Sequence, residues 1–137
     1  MSALYTATAT ASGRDGRAVS SDKKLDVTLA MPKELGGSGE GTNPEQLFAA
    51  GYSACFASAL GLVASKKNID VADASVTGEV GLHPNGSGGF SLSVTLRVEL
   101  PDHVDDETGR ELLEATHQVC PYSNATRGNI PVELVRE

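Results

Sequence analysis

Two cysteines are the residues of this sequence with the most evident chemistry. Cys55 lies among small apolar residues in the run NPEQLFAAGYSACF, residues 43–56, and Cys120 precedes Pro121 in VCPYSNATRGNI, residues 119–130. Thiolates are nucleophiles, and a second thiol can condense with an oxidised first one. A thiol inside a helix and another at a helix end therefore suit a nucleophile and its resolving partner. The competing interpretation is that Cys55 is only a small buried hydrophobe.

A reactive Cys55 requires a positive charge from outside its own helix. Its helical neighbours form an apolar groove that contains a tyrosine, and burial in such a groove raises the pKa of a thiol. The helix dipole acts mainly on the first turn, whereas Cys55 lies about three turns inside the helix. Lys66 is roughly 16 Å away along the axis at ~1.5 Å per residue. Arg14 and Arg17, in and beside a predicted turn, are the candidate cations.

Histidine chemistry is weakly indicated. Cys55, Cys120 and His117 make a poor zinc signature, because the cysteines are far apart and no fourth ligand is evident. His117 is a candidate base for a Cys-His hydrolase, but no pattern marks it. His83 and His103 fall in a turn and a loop, where we expect solvated side chains.

Composition limits the function classes. The chain has 137 residues, 39% of them hydrophobic, with a net charge of −7 and no tryptophan. An acidic chain is a poor partner for nucleic acid or an anionic membrane. The N-terminus lacks a charged leader and an apolar stretch, so we expect a cytoplasmic protein with reduced thiols. The uncharged run 47–65 is mostly Ala, Ser and Gly, which indicates a buried helix rather than a membrane span.

The long helix that carries Cys55 is bounded by recognisable signals. Asn43 is a predicted N-cap, Pro44 suits the first helical position, and Gln46 completes a capping-box pattern. Asn68 follows two lysines and can close the helix. The helix is apolar all round, so it must be covered on most sides. Because the rest of the chain is too short to cover both sides, we expect the small-residue surface, including Gly51 and Ala57, to bury against a second copy.

The other elements predict an α+β fold with a mainly antiparallel sheet. An Asp-Gly turn at GRDG indicates a hairpin between two strands. The Gly-rich segment after the second strand lacks the Gly-Lys-Ser/Thr of a phosphate loop, so we interpret it as a flexible flap. Two further strands precede a second helix that Pro121 breaks or kinks, and a last strand ends the chain. In order, the predicted segments are strands at 4–13 and 24–31, the flap at 32–42, strands at 73–84 and 88–100, a helix at 105–120 and a strand at 129–137.

The two cysteine motifs resemble those of the organic hydroperoxide resistance (Ohr) branch of the Ohr/OsmC family. The runs GTNPEQLFAAGYSACF and VCPYSNATRGNI carry the resemblance, and ATATASGRDGRAVSSD is similar to the N-terminal hairpin of that branch. Ser12 stands where many relatives have glycine, a departure confined to a turn. The likeness extends over nearly the whole chain and implies a single OsmC-like domain over residues 1–137.

The resemblance implies a cysteine-based peroxidase that reduces organic hydroperoxides, working as an entwined homodimer with no bound cofactor. Cys55 matches the peroxidatic cysteine and Cys120 the resolving one, while Arg14 matches the activating arginine and Glu45 the glutamate that holds it. The implied reductant is a dithiol, the lipoyl group of a lipoylated protein. A broader-range OsmC-type peroxidase and a non-enzymatic binder of apolar ligands remain alternatives. Glu45 and Cys55 are ten positions apart on the predicted helix, roughly 15 Å along its axis, so either the helix bends or Glu45 acts through Arg14 on the thiol of the other subunit. We expect the second arrangement, in which at least one of Arg14 and Glu45 comes from the other chain.

Overall fold

The computed structural model describes all residues from 1 to 137 and divides into two compact units. The first unit is Met1–Leu47 and the second is Phe48–Glu137. The expectation of a single domain over the whole chain stays a prediction.

The first unit contains a three-stranded antiparallel meander. Strands β1 (Ala9–Ala11), β2 (Gly16–Ser20) and β3 (Asp26–Leu29) follow one another in the sheet. The predicted single hairpin between residues 4–13 and 24–31 is therefore wrong, because the Asp-Gly turn joins β1 to β2 and a second turn joins β2 to β3. Residues after the turn form a strand of their own, with Ala18 buried between the two neighbouring strands.

The Gly-rich segment is folded back on β3. It begins with a 3₁₀ turn at Lys33–Leu35, and Thr42 forms a parallel bridge with Leu29. A Cβ atom on Gly37 would lie 2.1 Å from the Met31 carbonyl oxygen, and one on Gly41 would lie 2.7 Å from that of Thr28. Glycine is thus required at both positions by close backbone approach. The flexibility of this segment stays a prediction.

Helix α1 (Pro44–Lys66) has the predicted ends. The Asn43 side chain accepts a hydrogen bond from the Gln46 backbone N–H at 2.8 Å, which confirms the N-cap. The Gln46 side chain accepts from the Thr42 hydroxyl instead of closing a capping box. At the other end Asn68 adopts φ 56°, and the N–H groups of residues 68 and 69 bond to carbonyls of the last turn, as in a Schellman motif.

One face of α1 is buried and the opposite face is exposed. The buried residues are Tyr52, Phe56, Ala59, Leu60, Val63 and Ala64. The exposed face carries Ala50, Ala54, Ser58, Gly61 and Leu62. By length and composition alone α1 could cross a membrane, which is weak evidence because the core helices of soluble proteins pass the same test.

The second unit is built on a mixed sheet. Strands β4 (Ser75–Pro84) and β5 (Phe90–Glu99) form the predicted hairpin, and β6 (Val132–Arg136) pairs in parallel with β5, which is the central strand. Val94, Leu96 and Val98 of β5 point into the core and are at most 2% exposed. The Arg136 side chain of β6 also donates to the carbonyl oxygens of Pro101 and Asp105, in the loop that follows β5.

Two helices lie between β5 and β6. Helix α2 (Asp106–Val119) is capped by the Asp105 side chain, and a short helix α3 (Pro121–Thr126) follows directly. The sequence predicted only that Pro121 breaks α2; Pro121 is also the first residue of α3, where its missing N–H costs nothing. With strands, helices and a mainly antiparallel arrangement, the predicted α+β class is confirmed.

Candidate active site

The structure brings the two cysteines together. Cys55 lies about three turns inside α1 and is half-buried, and Cys120 is fully buried at the junction of α2 and α3. The Cys120 backbone N–H donates to the Thr116 carbonyl at 2.9 Å, and its carbonyl accepts from the Asn124 N–H at 2.9 Å. The backbone of Cys120 is thus held by both helices, while both thiols are free.

The surroundings of Cys55 within its own unit raise the pKa of its thiol. Burial raises the pKa of the Cys55 thiol, the backbone N–H of Tyr122 lowers it by hydrogen bonding to the sulfur, and the neighbouring Cys120 raises it. No cation acts on this thiol in the second unit. The expectation that a reactive Cys55 requires a charge from elsewhere is consistent with this arrangement.

Three aromatic rings cluster beside the helical turn that carries Cys55. The Tyr122 ring lies 5.5 Å from the Tyr52 ring and 6.1 Å from the Phe48 ring, centroid to centroid. The Tyr122 ring also covers Gly51, where a Cβ atom would lie 2.7 Å from the Tyr122 Oη. Gly51 therefore packs inside its own chain, and the expectation that its free side faces a second copy is wrong for this residue.

Arg14 and Glu45 form a bidentate ion pair in the first unit. The Arg14 Nη1 and Nη2 atoms donate to the two Glu45 carboxylate oxygens at 2.8 and 3.0 Å. This pairing lowers the pKa of Glu45 and raises that of Arg14. The Glu45 side chain is 17% exposed and holds the guanidinium at the turn between β1 and β2. Arg17, the other candidate cation, pairs instead with Asp26 on the exposed side of the meander.

A chain of polar contacts beside Cys120 was not anticipated from the sequence. His117 Nδ1 lies 2.7 Å from Ser123 Oγ, which lies 2.8 Å from Tyr52 Oη, and Tyr52 Oη lies 3.1 Å from Thr126 Oγ1. Burial and the charge of Arg127 lower the pKa of His117, against a smaller effect of Glu114. His117 therefore belongs to a hydrogen-bond network.

No group of three or more potential ligands is arranged to hold a metal ion.

The predicted site residues thus fall into two pairs. The structure joins Cys55 to Cys120 in the second unit and Arg14 to Glu45 in the first. The sequence did not predict that the backbone N–H of Tyr122 bonds to Cys55, which follows from the turn of α3. The position of Tyr122, two residues after Cys120, is the signal that could have indicated it.

Comparison with known proteins decides the family. The family model described as OsmC-like protein matches residues 37–135. The chain belongs to the OsmC-like family. The organic hydroperoxide resistance protein of Xanthomonas axonopodis pv. citri is 54% identical over 134 residues, covering 96% of this chain and 93% of the relative.

Solved structures agree with this assignment to the OsmC-like family. An organic hydroperoxide resistance protein from Elizabethkingia anophelis superposes with a TM-score of 0.93 at 48% identity, covering 100% of this chain and 99% of the other. The OhrB protein of Bacillus subtilis superposes with a TM-score of 0.88 at 47% identity, covering 98% and 100%. The resemblance to the Ohr branch and the OsmC-like fold are therefore confirmed.

Proposed function

We propose that the protein is a cysteine-based peroxidase that reduces organic hydroperoxides to alcohols and serves in resistance to them. The observation that carries the proposal is that the Cys55 and Cys120 thiols are neighbours, beside the aromatic cluster that includes Phe48 and Tyr122. Relatives named organic hydroperoxide resistance proteins support the substrate class. The apolar surface favours alkyl and lipid hydroperoxides over hydrogen peroxide, because burying an alkyl tail is favourable.

The chemistry requires three balanced steps. The Cys55 thiolate attacks the distal oxygen of the hydroperoxide, the O–O bond breaks, and the alkoxide leaves and takes a proton to become an alcohol. Cys55 is then a sulfenic acid. The Cys120 thiol attacks its sulfur, a disulfide forms and water leaves. A dithiol reduces the disulfide by exchange and is itself oxidised to a cyclic disulfide. We propose a dihydrolipoyl group on a lipoylated protein as that dithiol.

Activation of Cys55 is assigned to the Arg14–Glu45 pair of a second copy. Burial leaves the Cys55 thiol with a raised pKa, so a cation is needed to favour the thiolate. Arg14 stays charged and is oriented by the two hydrogen bonds that it donates to the Glu45 carboxylate. Ten residues of continuous helix separate Glu45 from Cys55, which corresponds to about 15 Å along the axis. A homodimer with sites shared between subunits meets this requirement.

Two further features support the homodimer and its setting. The exposed small residues of α1 leave an apolar surface without a cover in the single chain. A second copy laid against it would bury this surface. The proposed reaction starts from two reduced thiols, which suits a reducing compartment, and we propose the cytoplasm.

Cysteine variants test the proposed reaction. We expect Cys55→Ser to abolish consumption of cumene hydroperoxide. Cys120→Ser is expected to react once and leave a sulfenic acid at Cys55 that a dimedone-type probe traps. The readouts are peroxide loss, free-thiol titration and mass spectrometry of the labelled protein. Thiols unchanged after one equivalent of hydroperoxide would instead favour a binder of apolar ligands, and equal rates with hydrogen peroxide would favour a broader-range peroxidase.

Subunit mixing tests the shared site. Dimers made from Cys55→Ser and Arg14→Ala subunits would contain one doubly defective site and one intact site if the two pairs come from different chains. About half the wild-type activity should then return in each mixed dimer. Sites made from one chain would all carry a defect, and no activity would return.

A further inference from the structure

Three hydroxyl side chains in the second unit are buried and bonded to one another. Tyr52 and Ser123 are fully buried, and Thr126 is 2% exposed. Their contacts run from His117 Nδ1 to Ser123 Oγ, then to Tyr52 Oη and Thr126 Oγ1. The Thr126 hydroxyl ends the series by donating to the Ser123 carbonyl oxygen at 3.1 Å. The proposed reaction uses none of these four side chains.

The terminal carbonyl determines the direction of every bond in this series. A carbonyl only accepts, so the single Thr126 hydroxyl proton points to the Ser123 carbonyl. Tyr52 must then donate to Thr126, and Ser123 must donate to Tyr52. Each hydroxyl has one proton, so Ser123 Oγ can only accept from the remaining neighbour, His117 Nδ1. All four contacts are hydrogen bonds at once only when His117 carries a proton on Nδ1.

The series connects both sides of Cys120 to the helix that carries Cys55. His117 lies in the last turn of α2, and Ser123 and Thr126 lie in α3. Tyr52 lies in α1, one turn before Cys55. The backbone of Cys120 is bonded to α2 through its N–H and to α3 through its carbonyl. Fixing the ends of α2 and α3 to Tyr52 therefore fixes the origin of the Cys120 side chain.

We propose that His117 is a positioning residue for the resolving cysteine, holding Cys120 at Cys55 through the Ser123–Tyr52–Thr126 hydrogen-bond series. The inference rests on the proposed two-thiol reaction and concerns only its second step. Nδ1 carries a proton both in the neutral Nδ1–H tautomer and in the charged imidazolium. The positioning therefore does not depend on His117 changing its charge. An uncharged donor at the same place should replace it.

Amide substitutions at position 117 provide matched variants. The Nδ2 atom of asparagine is as far along the side chain as histidine Nδ1, so His117→Asn can donate to Ser123. The amide of His117→Gln is one carbon further and corresponds to Nε2, so it misses Ser123. His117→Ala removes the donor altogether. The Asn and Gln variants have the same chemistry and differ only in reach.

Rapid-mixing measurements of the full-length reduced protein with one equivalent of cumene hydroperoxide separate the two steps. We expect wild-type rates of peroxide loss in all variants. Disulfide formation should slow roughly 100-fold in His117→Ala and His117→Gln, the effect of a misplacement of about 1 Å, and return to near wild type in His117→Asn. Ser123→Ala should match His117→Ala if the series, and not the imidazole alone, carries the effect.

The possible failures are distinguishable. Equal rates of disulfide formation in wild type and His117→Ala, or equal rates in the Asn and Gln variants, would overturn the positioning role. Loss of peroxide consumption together with disulfide formation would indicate general destabilisation and also overturn it. A wild-type protein that does not consume the hydroperoxide at all would refute the proposed function instead.

Discussion

Replacement of Gly51 by alanine should loosen the contact that holds Tyr122 over α1. The new Cβ atom would lie 2.7 Å from the Tyr122 Oη, 3.2 Å from its Cζ and 3.3 Å from its Cε2. Overpacking of this kind costs about 1–3 kcal/mol. Alanine gains roughly 0.5–1 kcal/mol over glycine inside a helix. The free energy of unfolding should therefore fall by up to about 2.5 kcal/mol, measured by urea denaturation of the reduced protein.

The Tyr122→Phe background tests whether the hydroxyl is the cause. Phenylalanine removes the atom at 2.7 Å and leaves the two contacts above 3 Å. Tyr122 is partly exposed, so losing its hydroxyl alone should cost little. In this background Gly51→Ala should become neutral or stabilising, with a coupling energy of roughly 1–2 kcal/mol in the double-mutant cycle. An equal loss in both backgrounds would refute the reasoning, because the clash would then lie elsewhere.

Two further expectations concern the dimer and the ion pair. Ala54→Phe, on the exposed face of α1, should dissociate the proposed dimer in sedimentation velocity, whereas the control Ala72→Phe, at an exposed turn position, should not. Equal behaviour of the two variants would argue against α1 as the interface. Arg14 lowers the pKa of Glu45, so its stabilising effect is present above about pH 4.5 and is lost as pH falls through the lowered value. The unfolding free energies of wild type and Glu45→Gln should differ at pH 7, the difference should shrink as the pH falls below about 4.5, and a constant difference would contradict this.

Local signals were sufficient to predict the elements that carry the thiols. The ends of α1 depend on capping groups within a few residues of one another, and Asn43 and Asn68 perform the predicted roles. The β4–β5 hairpin depends on alternation and a Gly-rich turn, which are also local. The buried series Val94, Leu96 and Val98 follows the predicted face of β5, although Phe90 on the same face is exposed at the turn end of the hairpin.

What the sequence could not predict depends on contacts between distant residues. Strand β2 is short and contains arginine and serine, and it is stabilised by pairing with both neighbours rather than by its own pattern. The polar run after Pro121 lacks a helical period, yet α3 forms because Ser123 and Thr126 bond to Tyr52, more than 70 residues earlier. The same limit hid the role of Tyr122. For the two candidate pairs, residue types were recognisable, and the Arg14–Glu45 bond was expected from family resemblance rather than from spacing.

The parallel pairing of β6 has a consequence for the integrity of the protein. Strand β5 is central only because β6 (Val132–Arg136) pairs with one of its edges. The Arg136 side chain holds β6 in place by donating a hydrogen bond to the loop before α2. Trimming of these residues by a protease would expose a long strand edge with unpaired backbone groups next to Val94, Leu96 and Val98. Such edges are templates for strand addition between molecules. The last few residues therefore protect the protein from aggregation, because their removal would leave the edge of β5 free to pair with strands of other molecules.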